Sequence, residues 1–370
     1  MRVKVVNLHS MCENNTHALT RARSYFLVNG HTLADAADPA DLVFIGGCTV
    51  TDQKRDGCLQ QILWMMQQLP TARFIVYGCL AAFPEELWRL AASDRQRLEV
   101  VAYLQSSRVD ELIGARIPLH SISATLLHGH VPYQQRIGPA DAYVLIAQGC
   151  GNDCSYCNIK MAKGFVASRP LEVIEDEVRD LCRSGVTVIT LLGDDCGSYG
   201  LDSGSDLPAL LLRLAAVSPR LQFKLFTVFP SLYLRYARQL EPLFAGRRIT
   251  YLCLPVQSAA PRILALMNRG YDPGALAAAI ARLRSVAPGL FLYSHFIYNF
   301  PTETLGELEQ SIAFSRQFNQ CVFIGYGENR GTRAASITPK LSTEEAAARS
   351  RYLDELIRQQ RLAAFLVPEP

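Results

Sequence analysis

Short unbroken apolar runs alternate with amphipathic stretches along most of this chain. In the N-terminal third, VKVVNL, DLVFIGG and RFIVYG are separated by ALTRARSYFLVNG and LQQILWMMQQL, and PEELWRLAA follows. Strands that are apolar throughout are covered on both faces, so with helices between them they predict a Rossmann-like parallel sheet. A polar stretch poor in strand pattern, from about Ser106 to Ala140, reads as a linker. Beyond it the alternation resumes with AYVLIAQ, VTVITLLG, FKLFTVF, ITYLCLPV, LFLYSHFIYNF and CVFIGYG, separated by helical patterns such as PLEVIEDEVRDLC and TLGELEQSIAFSRQF. Six strand-helix units are too few for the closed eight-unit barrel and predict a partial (β/α)6 barrel of TIM type. The chain ends in one charged helical pattern, STEEAAARSRYLDELIRQQRLAAFL. The expected fold class is α/β: an N-terminal domain over 1–135, a barrel over 136–337 and a helical extension over 338–370.

Composition narrows the chemistry. The 370 residues are 49% hydrophobic and 19% charged, enough to build two globular cores. A net charge of +3 without any Lys/Arg-rich run argues against a dedicated nucleic-acid binder. The opening MRVKVVNLHSMC has no small-residue cleavage site and too short an apolar stretch for a signal sequence. No run approaches the ~18 apolar residues of a membrane span. A cytoplasmic protein without membrane contact is expected, and in that compartment eleven cysteines point to metal or redox work.

The positions of the cysteines say more than their number. Cys12, Cys48 and Cys79 each lie just past the end of one of the N-terminal apolar strands. In an open parallel sheet those carboxyl ends gather around one crevice, so three thiols dispersed in sequence are expected to converge. The competing reading is three small apolar fillers, since free cysteine is often buried. A second trio, Cys150, Cys154 and Cys157 in GCGNDCSYCNIK, follows the first barrel strand. Structural zinc calls for four protein ligands, and no fourth Cys or His lies nearby. A C-x-x-C redox pair leaves Cys150 unused. Three thiolates on a four-iron cluster, with one iron left open for a cofactor, accounts for all three.

C-x3-C-x2-C with the aromatic Tyr156 before its last cysteine resembles the radical S-adenosylmethionine superfamily. SRP at 168–170, LLGDDCGSYG, LPVQSAAPRILALMNRGY, NFPTET and RGTRAA, together with the three N-terminal cysteines, are similar to the methylthiotransferases that modify transfer RNA adenosines or a ribosomal-protein aspartate. The resemblance implies two 4Fe-4S clusters, one on Cys150, Cys154 and Cys157 that binds S-adenosylmethionine, and an auxiliary one on Cys12, Cys48 and Cys79. Reductive cleavage of the sulfonium would then give a 5′-deoxyadenosyl radical, with the cofactor supplying the hard chemistry. Carried over from the same motifs, Gly193, Asp194, Gln257 and Ser258 would line the cofactor pocket, Tyr156 would present its backbone to the adenine, and Arg269 would contact cofactor or substrate. Ordinary strand-end packing and capping is the alternative for these polar positions. His295 reads as a core histidine, and Cys58, Cys182, Cys196, Cys253 and Cys321 as structural. No catalytic acid or base is assigned.

Several positions depart from the family. Met11 replaces a usual glycine while Asn15 is retained, NIKMAKG stands where IP..RG is usual, and NFPTET replaces GFPGET. After RGTRAA no counterpart of the family's small C-terminal β-barrel follows. The expected function is therefore insertion of sulfur or a methylthio group at a C–H position of a peptide or small metabolite, with an external low-potential electron donor and a sulfur donor as partners. Three alternatives stand beside it: transfer RNA bound without the extra barrel, an auxiliary cluster serving electron transfer or substrate anchoring, and a non-enzymatic cluster carrier or sensor.

Overall fold

The computed structural model describes residues 1–9, 12–35, 38–127 and 142–368. Contacts divide the chain into two compact units, Met1–Pro139 with Asn158–Phe165, and Ala140–Cys157 with Val166–Pro370. Met11, the 135/136 boundary and the 128–140 part of the expected linker lie outside the described residues.

In the first unit the strands β1 (Arg2–Asn7), β2 (Thr32–Leu33), β3 (Leu42–Gly46), β4 (Arg73–Tyr77) and β5 (Leu98–Val101) form a parallel sheet in the order β2-β1-β3-β4-β5. Every residue of β3 is buried, as a strand covered on both faces requires. One face packs Leu19, Phe26, Phe44 and Ile75, and the other Val43, Ile45, Leu59 and Val76. The helices α1 (Glu13–Val28), α2 (Asp52–Gln68) and α3 (Pro84–Leu90) cross between strands. The α2 N-terminus is capped by the Thr51 hydroxyl, which accepts the Lys54 N–H at 3.2 Å.

The stretch from Ser106, expected as linker, instead begins with a helix, α4 (Ser106–Ile113). Val109, Leu112 and Ile113 fall at i, i+3 and i+4, join the core of the first unit, and are followed by Gly114 at φ 64° as C-cap. The Tyr25 hydroxyl donates to Asp110 Oδ1 at 2.6 Å and ties this helix to α1. A short strand, β6 (Thr125–Leu127), comes next. The helix α5 (Ile159–Lys163) also belongs to this unit, with the Lys163 ammonium 4.8 Å over the Tyr103 ring.

In the second unit the six expected barrel strands are present: β7 (Ala142–Leu145), β10 (Val188–Leu192), β11 (Gln222–Leu225), β12 (Ile249–Cys253), β13 (Phe291–Tyr298) and β14 (Gln320–Gly325). They pair in parallel in chain order, while β8 (Ala147–Gln148) and β9 (Ala167–Ser168) form a separate antiparallel pair. The helices α6 (Leu171–Arg183), α7 (Leu207–Val217), α8 (Pro230–Ala245), α9 (Pro261–Leu266), α10 (Pro273–Val286) and α11 (Leu305–Ser315) alternate with them. The charged C-terminal stretch forms the expected helix, α12 (Thr343–Arg358), and then a strand that was not expected, β15 (Ala364–Val367), parallel to β14. Among the described residues no helix is long and apolar enough to cross a membrane.

Candidate metal and cofactor sites

The first cysteine trio sits at the carboxyl ends of parallel strands, and the second on the loop that follows β7 and the short β8. In the first unit Cys12 is the N-cap of α1, Cys48 follows β3 and Cys79 begins a 3-10 turn after β4. Because β1, β3 and β4 are neighbours in the sheet, their three following loops lie side by side. The thiols feel one another: burial first, and then Cys12, Cys79 and Cys58, push Cys48 up to about 12 against the Val50 N–H that its sulfur accepts at 3.4 Å. Cys58, read as structural, stands beside Cys48, its sulfur accepting the Cys48 N–H at 3.4 Å. Gly78, at φ 98°, sets the turn into Cys79, and a Cβ there would stand 2.7 Å from the Tyr103 ring. Asn15 is buried and donates to Asn7 Oδ1 at 2.6 Å, so the retained asparagine ties α1 to the end of β1.

In the second unit the loop carrying Cys150, Cys154 and Cys157 leaves β8 and is held along its length. Asp194 Oδ2 accepts the Gly149 N–H at 2.9 Å. Ser155 donates its N–H to Met267 O at 3.0 Å and its hydroxyl to Leu266 O at 2.7 Å, while Asn268 Nδ2 donates to Asp153 O at 2.7 Å. Asn152 Nδ2 donates to Cys150 Sγ at 3.2 Å, and Arg269 Nη1 to Cys154 Sγ at 3.4 Å. Arg269 is buried, stacks 3.8 Å over the Phe229 ring and donates through Nη2 to Pro255 O. Burial raises the Cys150 thiol to about 11, and nearby Asp195 adds to the rise, while the two Asn152 N–H groups oppose it.

The remaining expected positions divide. Gly193 and Asp194 close β10, and Asp194 faces the start of the cysteine loop. Gln257 takes φ 71°, its backbone bridges His295 and Ile297, and its buried Oε1 has no hydrogen-bond partner among the described residues. Ser258 is fully buried, shares a hydrogen bond with Ser311 Oγ and accepts the Ala260 N–H at 3.2 Å. That geometry ties the turn before α9 to α11. The Tyr156 carbonyl already accepts Asn329 Nδ2 at 3.1 Å, which leaves one lone pair for another donor. His295 packs edge-on against Tyr293 in the barrel, with Nε2 at 4.0 Å from Cys253 Sγ.

Beyond β13, Glu303 is buried, its Oε2 accepting the Asn299 N–H at 2.8 Å and lying 3.4 Å from Arg349 Nη1. Desolvation lifts its carboxyl to about 7, against the pull of Arg349.

Soft all-thiol donor sets with N–H groups aimed at sulfur fit iron-sulfur ligation and give no reason to expect hard-cation binding. Among the described residues no three His, Cys, Asp or Glu side chains stand in ready-made ion-coordinating geometry. The fit therefore rests on donor chemistry and neighbourhood. Asn152, Asp195 and Cys58 escaped the sequence reading because their partners are set by tertiary contact.

Residues 144–315 match the Radical SAM superfamily and residues 5–96 the Uncharacterized protein family UPF0004. The first match sets the class, that of radical S-adenosylmethionine enzymes. The chain is 30% identical over 343 residues to the ribosomal protein uS12 methylthiotransferase RimO of Moorella thermoacetica, covering 88% of this chain and 77% of that one. It is 29% identical over 370 residues to a tRNA-2-methylthio-N(6)-dimethylallyladenosine synthase of Cereibacter sphaeroides, covering 95% and 82%. Against the threonylcarbamoyladenosine tRNA methylthiotransferase of Danio rerio it is 27% identical and spans 65% of that protein's length. The chain belongs to the radical S-adenosylmethionine methylthiotransferase family. Among solved structures, the radical S-adenosylmethionine methyltransferase TsrM from Kitasatospora setae shares the fold at a TM-score of 0.61 and 15% identity, over 95% of this chain and 78% of that one. Membership implies a 4Fe-4S cluster and S-adenosylmethionine.

Proposed function

We propose that this chain inserts sulfur, or a methylthio group, at a C–H position of its substrate. In this reading Cys150, Cys154 and Cys157 hold the cluster that takes S-adenosylmethionine, and Cys12, Cys48 and Cys79 hold an auxiliary cluster. The observation that carries the reading is the pair of thiol trios, one at parallel-strand ends and one on the loop after β8, in a chain that aligns with a methylthiotransferase over 88% of its length. When bound, the reduced cluster and S-adenosylmethionine supply a radical able to take hydrogen from an unactivated carbon. The chain's own residues prepare that site. Asp194 fixes the loop entrance, Ser155 and Asn268 fix its far side, and Asn152 and Arg269 offer N–H groups to thiolate sulfur. Gly193, Asp194 and Gln257 stand at strand ends where the cofactor would be contacted. Electrons come from an external low-potential donor, and the inserted sulfur from a sulfur donor.

The relatives' names place their action on transfer RNA or on ribosomal protein uS12. A small metabolite or short peptide, the substrate expected from sequence, draws no support from them. The test is anaerobic reconstitution of the whole chain, with about eight irons expected per chain at four per cluster. Replacing Cys150, Cys154 and Cys157 by Ala removes half the iron and all 5′-deoxyadenosine formation. Replacing Cys12, Cys48 and Cys79 removes the other half and leaves the cleavage chemistry. Full iron retention by either triple variant refutes that site. Bulk transfer RNA, the uS12 protein and candidate peptides are then offered in turn, and a product heavier by sulfur or a methylthio group identifies the substrate.

A further inference from the structure

Asp195 is a buried carboxylate that the cofactor reading leaves without a task. All its acceptor positions are filled. Oδ1 accepts the Gly197 and Phe229 N–H groups, each at 3.0 Å, and Oδ2 accepts the Ser198 hydroxyl and Asn152 Nδ2, each at 2.7 Å. Two backbone donors from different segments keep the carboxylate from turning. Ser198 in turn accepts the Gly151 N–H at 3.3 Å, so the carboxylate and the hydroxyl together clamp the loop just after Cys150.

Asn152 is the only side chain that links this clamp to sulfur among the hydrogen bonds described. An amide nitrogen has two hydrogens. One goes to Asp195 Oδ2 and the other to Cys150 Sγ, at 3.2 Å. Turning the amide over would set its oxygen against the carboxylate, so the carboxylate decides which end faces the thiol. The buried charge strengthens the first bond and so fixes the second.

We propose that Asn152, oriented by the positioning residue Asp195, donates a hydrogen bond to the Cys150 sulfur that makes the cluster on this loop easier to reduce. The proposal rests on Cys150 being a cluster ligand. A donor to a ligating sulfur favours the form with more negative charge on the cluster, which is the reduced one, and hydrogen bonds to sulfur are among the protein's means of setting cluster potential.

The test is an EPR-monitored redox titration of the reconstituted full chain, with iron counted in every sample. Asn152→Ala and Asn152→Ser both remove the amide that bridges carboxylate and sulfur. Each is expected to keep its iron and titrate at a lower midpoint potential than the unsubstituted protein. Asp195→Asn separates orientation from charge. Losing a buried negative charge alone raises the potential, and that is the expected effect in the Asn152→Ala background. With Asn152 present, the same substitution also releases the donor, so the potential rises less or falls. An unchanged midpoint in iron-replete Asn152→Ala and Asn152→Ser overturns the proposal. So does an equal shift from Asp195→Asn in both backgrounds, or loss of iron from both Asn152 variants, which would make Asn152 only a support of the loop. Failure of the ligand assignment itself is read separately, as iron retained when Cys150, Cys154 and Cys157 are replaced.

Discussion

Replacing Glu303 by Gln tests how far burial outweighs an ion pair in the second unit. Two effects oppose each other at this carboxyl. Removal from water disfavours the charged form, while Arg349, 3.4 Å away, favours it. Desolvation wins and the carboxyl moves from its usual 4.5 to about 7. A group with a raised pKa in the folded state contributes stability that is complete below its unfolded value and is lost as pH rises through the folded one. From about pH 5.5 to about pH 8 the two binding curves diverge by roughly 1.4 pKa units, which corresponds to about 2 kcal/mol. Glu303→Gln lacks this loss, so the variant should gain about 2 kcal/mol on the original chain across that range. The assay is urea unfolding of both iron-free proteins at several pH values. Taking their difference cancels the other titrating groups. A difference that does not move with pH refutes the argument. One that moves in the opposite sense shows that Arg349 governs the carboxyl.

Gly78→Ala forces a side chain into a φ of 98° and against the buried Tyr103 ring. It should cost about 3 kcal/mol, read by chemical denaturation, and, on the proposed assignment, lower the iron held with Cys79 while sparing that held by Cys150, Cys154 and Cys157. Thr304→Ala removes one half of the capping box at α11, in which the Thr304 hydroxyl accepts the Glu307 N–H and Glu307 reaches back to the Thr304 N–H. A loss of about 1 kcal/mol is expected, with unchanged cleavage of S-adenosylmethionine.

The sheets were legible because burial on both faces leaves an unmistakable trace, as in LVFIG, where every residue is covered. The strand-end positions of Cys12, Cys48 and Cys79 were legible for a related reason: apolar strand patterns mark where each strand stops, and parallel sheets collect those ends. What escaped depends on partners that periodicity does not encode. Ala364–Val367 alternates no apolar and polar positions, and becomes a strand by pairing with the β14 edge. The helix α4 has eight residues, short enough for its single apolar face to be read as loop. Asp195 and Asn152 lie 43 positions apart, and Cys58 looks like a filler on α2 until the fold brings it to the Cys48 backbone.

The two thiol trios differ in one respect that bears on assembly. Cys150, Cys154 and Cys157 come from a single loop, whereas Cys12, Cys48 and Cys79 reach their places only when β1, β3 and β4 have paired. A short loop can capture iron before the surrounding chain has folded, and a ligand that binds unfolded chain as well adds little to native stability. In the proposed assignment a cluster on the dispersed set would have no counterpart in the unfolded chain, so all of its binding energy would fall on the folded sheet. Chelation should therefore loosen the first unit far more than the second, and a chain depleted of iron during synthesis should accumulate with its N-terminal sheet the more open to proteolysis.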